Sequence, residues 1–378
     1  MIEYFILFLI VTFSIIIFDL NKYKELKTQI YYFIFIFSSL LMGLRYKVGI
    51  DTYNYMVSFK NVPYFYNIHF SEILNYEYPP LFLIISSLIK TFISNEFYVF
   101  QLFHTFFINY VIFFFIKKNI KFPFIGIFVY FLIYFLYFNT EIIKESIAVC
   151  IFLLNYKNLV NRKWLRYYIL VIISILFHPS ASILLLLPLL INLRFNKKFI
   201  IIFSIAILLM LNLSIILPHF SFFEKIRKVQ FYLEQDEINN MNFTWNLLLT
   251  IQLSVFPFLT LFFLKRIYKL ETKFENILLV MVIIGSGCLL NGVIFQRFTN
   301  YFIPFYGILL ANLFYTYIFK YNKFKILVSF FLVSMCTIYN YDFWSHSRYK
   351  IWIPYHSIFN EKEDSDRNEL YNGLFKKY

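Results

Sequence analysis

Charge is scarce in this chain. Only 15% of its 378 residues are Asp, Glu, Lys or Arg, while 60% are apolar and 24% aromatic. No water-soluble fold of this length hides that much apolar surface in one core, so the composition excludes a soluble globular protein and makes lipid the solvent. Cysteine is scarcer still. Cys150, Cys288 and Cys336 stand singly in apolar runs, with no CxxC spacing and no Cys/His cluster, which argues against a disulfide framework and a thiolate metal site. The first apolar run, MIEYFILFLIVTFSIIIF, lacks a basic leading segment and a small-residue cleavage pattern; it reads as a retained span, not a signal peptide. There is no repeat of fixed period, no low-complexity linker and no soluble domain, so one integral membrane domain over 1–378 is expected. No His-x-x-x-His spacing and no Glu/His cluster on a predicted helix is found either, so no metal or other cofactor is implied.

What the chain does have is apolar runs, at 2–18, 30–44, 81–93, 97–116, 122–139, 146–156, 164–177, 180–193, 199–217, 245–264, 276–291, 301–319 and 325–339. Several fall short of the roughly 20 residues a spanning helix needs, so length alone leaves the topology open. Cations arbitrate. The net charge of +14 would hint at nucleic acid in a soluble chain, but here Lys and Arg sit in short clusters between apolar runs, where topology and anionic headgroups explain them better. If 81–93 dips in and returns while every other run crosses, the loops 19–29, 117–121, 157–166, 193–198, 265–275 and 320–325 all face the cytoplasm. They hold more than half of the 35 Lys and Arg. A full crossing by 81–93 would turn most of these clusters outward, against the positive-inside rule. The expected fold is therefore an all-α polytopic membrane protein of about a dozen spanning helices, with a re-entrant segment and short extracytoplasmic elements.

That orientation makes 45–80, 139–146, His178 with Pro179, 218–244, 292–300 and the tail 340–378 extracytoplasmic. These segments carry the unusual residues: Arg45, Asp51, Glu72, Glu77, Glu141, Lys144, Glu145, His178, Arg297 and His356. In GLRYKVGIDTYNY, from Gly43 to Tyr55, Arg45 suits a phosphate or pyrophosphate, because a guanidinium grips phosphate oxygens bidentately and stays charged. The same Arg and Lys also serve simply to end a span by snorkelling. Asp51 is placed to orient Arg45 or to act as a base. His178 is equally a base or a helix-end cap. Arg297 is a phosphate ligand or an interfacial anchor. Glu141, Lys144 and Glu145 share a helix face, and an internal ion pair accounts for their spacing. Glu77 is a base or a solvated loop carboxylate. In 218–244, Phe222, Phe223, Ile226, Val229 and Leu233 fall on one helical face, as in a helix lying in the interface, which serves either as a lid over the lipid carrier or as a surface amphipathic helix with no catalytic role.

Five stretches in order carry a resemblance to one family. LRYKVGIDTYNYMVSF is similar to the opening pattern of the EpsG family, relatives of the Wzy polysaccharide polymerases, in which a span ends in Leu-Arg-x-x-x-Gly-x-Asp-x-x-x-Tyr. YFNTEIIKESIAV resembles that family's Asn-x-x-Arg-Gln-x-x-Ala segment, and ILFHPSASILLLLP its Phe-His-x-Ser-Ala segment through Phe177, His178, Ser180 and Ala181. FQRFTNYFIPFYGILL and WIPYHSIF, with Pro354 and Tyr355, complete the set. Lys144 and Glu145 stand where the family pattern has Arg-Gln, and a Lys lacks the planar fork.

The resemblance implies polymerisation of polyprenyl-pyrophosphate-linked oligosaccharide repeat units at the outer face of a bacterial inner (cytoplasmic) membrane. As the anomeric carbon becomes oxocarbenium-like, negative charge builds on the diphosphate, which Arg45, Arg297 and Lys144 would stabilise. The attacking sugar hydroxyl needs a proton acceptor, with His178 first and Asp51 and Glu77 after it. A chain-length regulator and a flippase are the partners implied, and no nucleic acid. Three other activities remain open: a membrane glycosyltransferase adding one sugar from a polyprenyl-phosphate donor, a polysaccharide O-acyltransferase, and a transporter. The first shares the architecture and differs only in acceptor. The last would favour ionisable residues near mid-membrane and two related halves, whereas here they cluster at run ends.

Overall fold

The computed structural model describes residues 2–69, 71, 73, 76, 78–216, 243–270, 272–319, 325–339, 350–359 and 369. Among these the fold is all-helical, and the extended pairing present is an isolated antiparallel bridge between Arg45 and Ser357. The chain packs as two compact units: Met1–Ser182 with Asn340–Tyr378, and Ile183–Tyr339.

The first unit holds nine α-helices among its described residues: α1 Ile2–Ser14, α2 Lys27–Gly43, α3 Ile50–Asn61, α4 Pro80–Phe92, α5 Phe97–Asn119, α6 Pro123–Ile133, α7 Phe135–Thr140, α8 Ile143–Val160 and α9 Trp164–Phe177. α2 lies on α5, and α8 on α9. Pro80 and Pro123 start their helices, where a missing N–H costs nothing. α9 stops at His178, which is extended at φ −156° because the following Pro179 disfavours the helical conformation before it. The two ends of the unit differ in chemistry. At one end Lys27 pairs with buried Asp19 at 3.3 Å, Asp19 also accepts from Ile125 N at 3.0 Å, and Lys117 lies over the Tyr31 and Tyr32 rings. At the other end meet the close of α2, the starts of α3, α5 and α8, and the close of α9.

The interior is mostly apolar, yet it also holds a buried polar network, and large apolar side chains cover the outside as well. Tyr130 Oη donates to Asn109 Oδ1 at 2.7 Å and accepts from Asn139 Nδ2 at 3.0 Å, all three fully buried, while Phe5, Phe13, Tyr110 and Leu165 face outward. Large apolar side chains outside and a satisfied polar network inside are what a lipid solvent demands. α4 is a single helix of 13 residues, shorter than a span. Its second half is held to the end of α3 and the loop after it, with Lys90 Nζ donating to Lys60 O and Val62 O at 2.7 Å each and Ser87 Oγ to Pro63 O at 2.7 Å.

The second unit contains α10 Leu187–Leu190, α11 Lys197–Ile216, α12 Phe243–Thr250, α13 Phe256–Phe262, α14 Glu275–Ser286, α15 Gly292–Thr299, α16 Ile303–Phe319 and α17 Lys325–Tyr339. A wide turn of π type at Ile251–Val255 joins α12 to α13, and a second at Phe263–Ile267 extends α13, so that Phe243–Ile267 forms one rod. α14 packs against this rod so closely that Ser254 Oγ donates to Val282 O at 2.6 Å. α15 and α16 meet at a bend of 70°.

Among the described residues three helices are long and apolar enough to cross a membrane, Ile2–Leu20, Phe97–Asn119 and Phe243–Ile267, and the bent α15–α16 pair would make a fourth. The amphipathic segment expected at 218–244 lies almost wholly outside the described residues, as does most of the tail expected at 340–378.

Candidate functional site

The stretch after α2 is built around a buried arginine. Arg45 is 1% exposed; its Nη1 donates to Met42 O and its Nε to Val48 O at 3.2 Å, so the guanidinium ties the end of α2 to the following turn. Gln101 of α5 closes the same turn, its Nε2 donating to Gly43 O at 2.8 Å and Arg45 O at 2.9 Å. Gly49 then reverses the chain with φ +102°, a conformation other residues rarely adopt. This sets up the start of α3, whose orphan N–H groups need an acceptor. Glu141 supplies it from 90 residues away: Oε1 accepts from Ile50 N at 2.9 Å and Oε2 from Asp51 N at 3.1 Å, with Thr140 Oγ1 donating to Oε1 at 3.0 Å. Burial and the neighbouring Asp51 charge nonetheless push the Glu141 carboxyl up to about 7, against the pull of those three donors.

The described part of the tail locks onto this loop. Tyr46 N donates to His356 O at 2.8 Å, Ile358 N to Leu44 O at 3.0 Å and Gly49 N to Ile351 O at 3.3 Å. Tyr355 Oη reaches Leu41 O at 2.8 Å, and Trp352 Nε1 lies 3.4 Å from Thr140 Oγ1.

The first turn of α8 is the hub. Lys144 Nζ sits 5.4–5.5 Å from the ring centres of Tyr55, Tyr78 and Phe82, which fix an otherwise floppy ammonium by cation–π attraction. The next residue, Glu145, is buried and accepts from Ser180 Oγ at 3.1 Å, and Ser180 Oγ lies 2.6 Å from His178 Nδ1. Ser146 completes the turn, its Oγ 3.0 Å from Nε2 of the buried His104, which also donates to Ile143 O at 3.1 Å. Thus the first turn of α8 reaches α4 through Lys144, α5 through Ser146 and the end of α9 through Glu145, while Glu141 just before it reaches α3.

Four of the family-like stretches therefore meet at one end of the first unit, although up to 314 residues separate their contacts. The EpsG family matches residues 28–357. The chain belongs to the EpsG family. No curated protein and no solved structure matches it. Within this EpsG protein the Lys144-Glu145 departure has a local account. Lys144 gains from three rings the positional definition that its flexible stem lacks, and Glu145 is used inward, towards Ser180. The shared face of Glu141, Lys144 and Glu145 is split among these different partners.

Of the candidates read from the sequence, Arg45, Asp51, Lys144 and His178 lie at this end of the first unit, linked through Glu141 and α8. Arg297 is half-buried on α15 of the second unit. Glu77 lies outside the described residues. Gln101 and His104 were not anticipated, yet a signal existed: Gln101, Thr105 and Asn109 recur every four residues with His104 beside them, a polar stripe on an otherwise apolar helix.

Proposed function

We propose that this EpsG protein joins polyprenyl-pyrophosphate-linked oligosaccharide repeat units into a surface polysaccharide, whether capsule, O-antigen or exopolysaccharide, by glycosyl transfer at the outer face of the bacterial cytoplasmic membrane. The observation that carries the reading is the convergence of the Arg45, Lys144, His178 and Trp352 stretches at one end of the first unit, opposite the end that gathers Lys27 and Lys117. On this reading the chain is one integral membrane domain of about a dozen spans, and α4 stays on the outer side as the re-entrant element.

In the reaction, a hydroxyl of the incoming unit attacks the anomeric carbon of the growing chain, and the diphosphate leaves with the bonding pair. Lys144, fixed by its rings, meets the charge that builds on the leaving group, and buried Arg45 holds the loop while adding its own field. Arg297 is a further diphosphate-binding candidate, proposed from the sequence. His178 takes the hydroxyl proton, with Asp51 and Glu77 as the other acceptors. The chain-length regulator and flippase belong to the same proposal.

The decisive measurement is the lipid-linked product of a deletion strain. Accumulation of a single complete repeat unit supports polymerisation; a truncated unit makes the protein a single-sugar transferase. Complementation with His178→Ala at normal protein level is expected to lower polymer yield by about 10²–10⁴-fold, the range of a lost general base. Full-length polymer from His178→Ala, Lys144→Ala and Arg297→Ala alike would remove the assigned roles.

A further inference from the structure

In the second unit the loop before α11 folds back onto the start of α14. Phe195 N donates to Glu275 Oε1, Asn276 Nδ2 donates to Ile191 O at 2.9 Å, and Lys265 Nζ pairs with Glu275 Oε2. These contacts frame a cavity of about 680 Å³. Its described lining sets three cations, Arg194, Lys265 and Lys273, against one carboxylate, Glu275, which is already engaged by Lys265 and the Phe195 amide. The surplus is positive. Thr272 lines the same cavity, and its Oγ1 is buried with no hydrogen-bond partner among the described residues, a costly state for a hydroxyl. The depth is also informative. Ile201 and Ile205 of α11 are more than half exposed, as lipid-facing side chains are, so the loop just before this helix lies where headgroup phosphates do.

We propose that this cavity binds a phosphate group, either the phosphodiester of an anionic lipid headgroup or free phosphate, with Arg194 as its main ligand. The inference does not depend on the polymerase reading and adds no step to that reaction. A guanidinium meets two phosphate oxygens at once, while Lys265 and Lys273 contribute point charges that need no fixed geometry. The Thr272 hydroxyl then gains the acceptor it lacks, so binding removes a penalty as well as adding contacts. Other ligand classes fit less well. A metal cation would meet the positive surplus, and a sugar would need acceptors where the cavity's carboxylate is already taken. A bound phosphate ties the loop before α11 to the start of α14, and it stabilises the folded chain by mass action. On the proposed orientation, the loops 193–198 and 265–275 face the cytoplasm, so a lipid would come from the inner leaflet.

The test uses the full chain in neutral detergent, with the unfolding temperature followed as phosphatidylglycerol, phosphatidylcholine or inorganic phosphate is added at constant ionic strength. Phosphatidylglycerol or inorganic phosphate should raise it saturably. A response to phosphatidylglycerol alone marks a lipid headgroup as the source, and one to inorganic phosphate marks the free anion. Arg194→Gln should weaken the apparent Kd by about tenfold or more, the size of a lost charge-assisted hydrogen bond, and Thr272→Val by about threefold. Arg166→Gln, which removes the same charge from the exposed first turn of α9, should leave Kd within about twofold. Without ligand, Thr272→Val should unfold no earlier than the unaltered chain, because it discards a hydroxyl that has no partner. Four results overturn the site: equal stabilisation by phosphatidylcholine, no stabilisation by either phosphate source, equal weakening by Arg166→Gln, or undiminished binding in both Arg194→Gln and Thr272→Val. Should Arg194→Gln fail to fold, Thr272→Val decides alone.

Discussion

Gly49 and Glu141 show how single residues hold this site. At Gly49 the φ of +102° is unfavourable to any side chain, and an added Cβ would lie 2.5 Å from Thr140 Cβ. Gly49→Ala should therefore destabilise the first unit by about 1–3 kcal/mol from backbone strain, before the steric clash is counted. A lowered unfolding temperature in detergent checks this, and an unchanged one would refute it. Glu141 predicts a pH dependence. Its folded carboxyl is pushed from 4.5 up to about 7, so the folded chain binds this proton more tightly than the unfolded chain does. The resulting stability is complete below the unfolded value and is lost as pH rises through the folded one. Unfolding temperature should fall between pH 5 and pH 8, and Glu141→Gln should flatten that segment of the curve. Legibility at this scale was partial. Arg45, Lys144 and His178 were visible as polar groups at the ends of apolar runs, whereas the inward use of Glu145 and Glu141 depends on partners dozens of residues away.

Among the elements, run boundaries were read well wherever lipid alone sets them. The 164–177 and 81–93 runs became Trp164–Phe177 and Pro80–Phe92, and 97–116 became the core of Phe97–Asn119. Breaks inside runs were not legible. The 122–139 run divides at Tyr134, whose φ of −142° ends α6, and the 301–319 run is the second limb of a bent pair. Hydropathy averages over such breaks because an interrupted helix still buries apolar side chains; what interrupts it is packing against another helix. The contact of α14 with the π turn at Ile251–Val255 is of this kind. A Cβ on Gly285 would lie 2.3 Å from Leu253 O, a backbone atom with no rotamer to escape by. Gly285→Ala should lower the thermal stability of the second unit by about 1–3 kcal/mol, the usual cost of overpacking, and a neutral result would show that the rod shifts freely.

At the scale of the whole molecule, orientation in the membrane is the property on which the proposed function depends. Tyr66, in the loop after α3, is 73% exposed, and Asn161, between α8 and α9, is also exposed. In a chain with its three native cysteines replaced, Tyr66→Cys should react with a membrane-impermeant thiol reagent in intact cells, and Asn161→Cys only after permeabilisation. The opposite pattern would place the His178 end with the cytoplasm and end the outer-face reading. Composition by itself determined that this is a helical membrane protein, since a solvent without hydrogen bonds permits few other folds to a chain so apolar. Five ordered stretches pointed to its family, which the match over residues 28–357 shows. Only the tertiary structure decided that the tail closes over the Arg45 loop, that Glu141 caps α3, and that Glu145 reaches His178 through Ser180. Those are contacts between segments far apart in the chain, and their energy comes from burying polar groups against specific partners, which neither periodicity nor local spacing encodes.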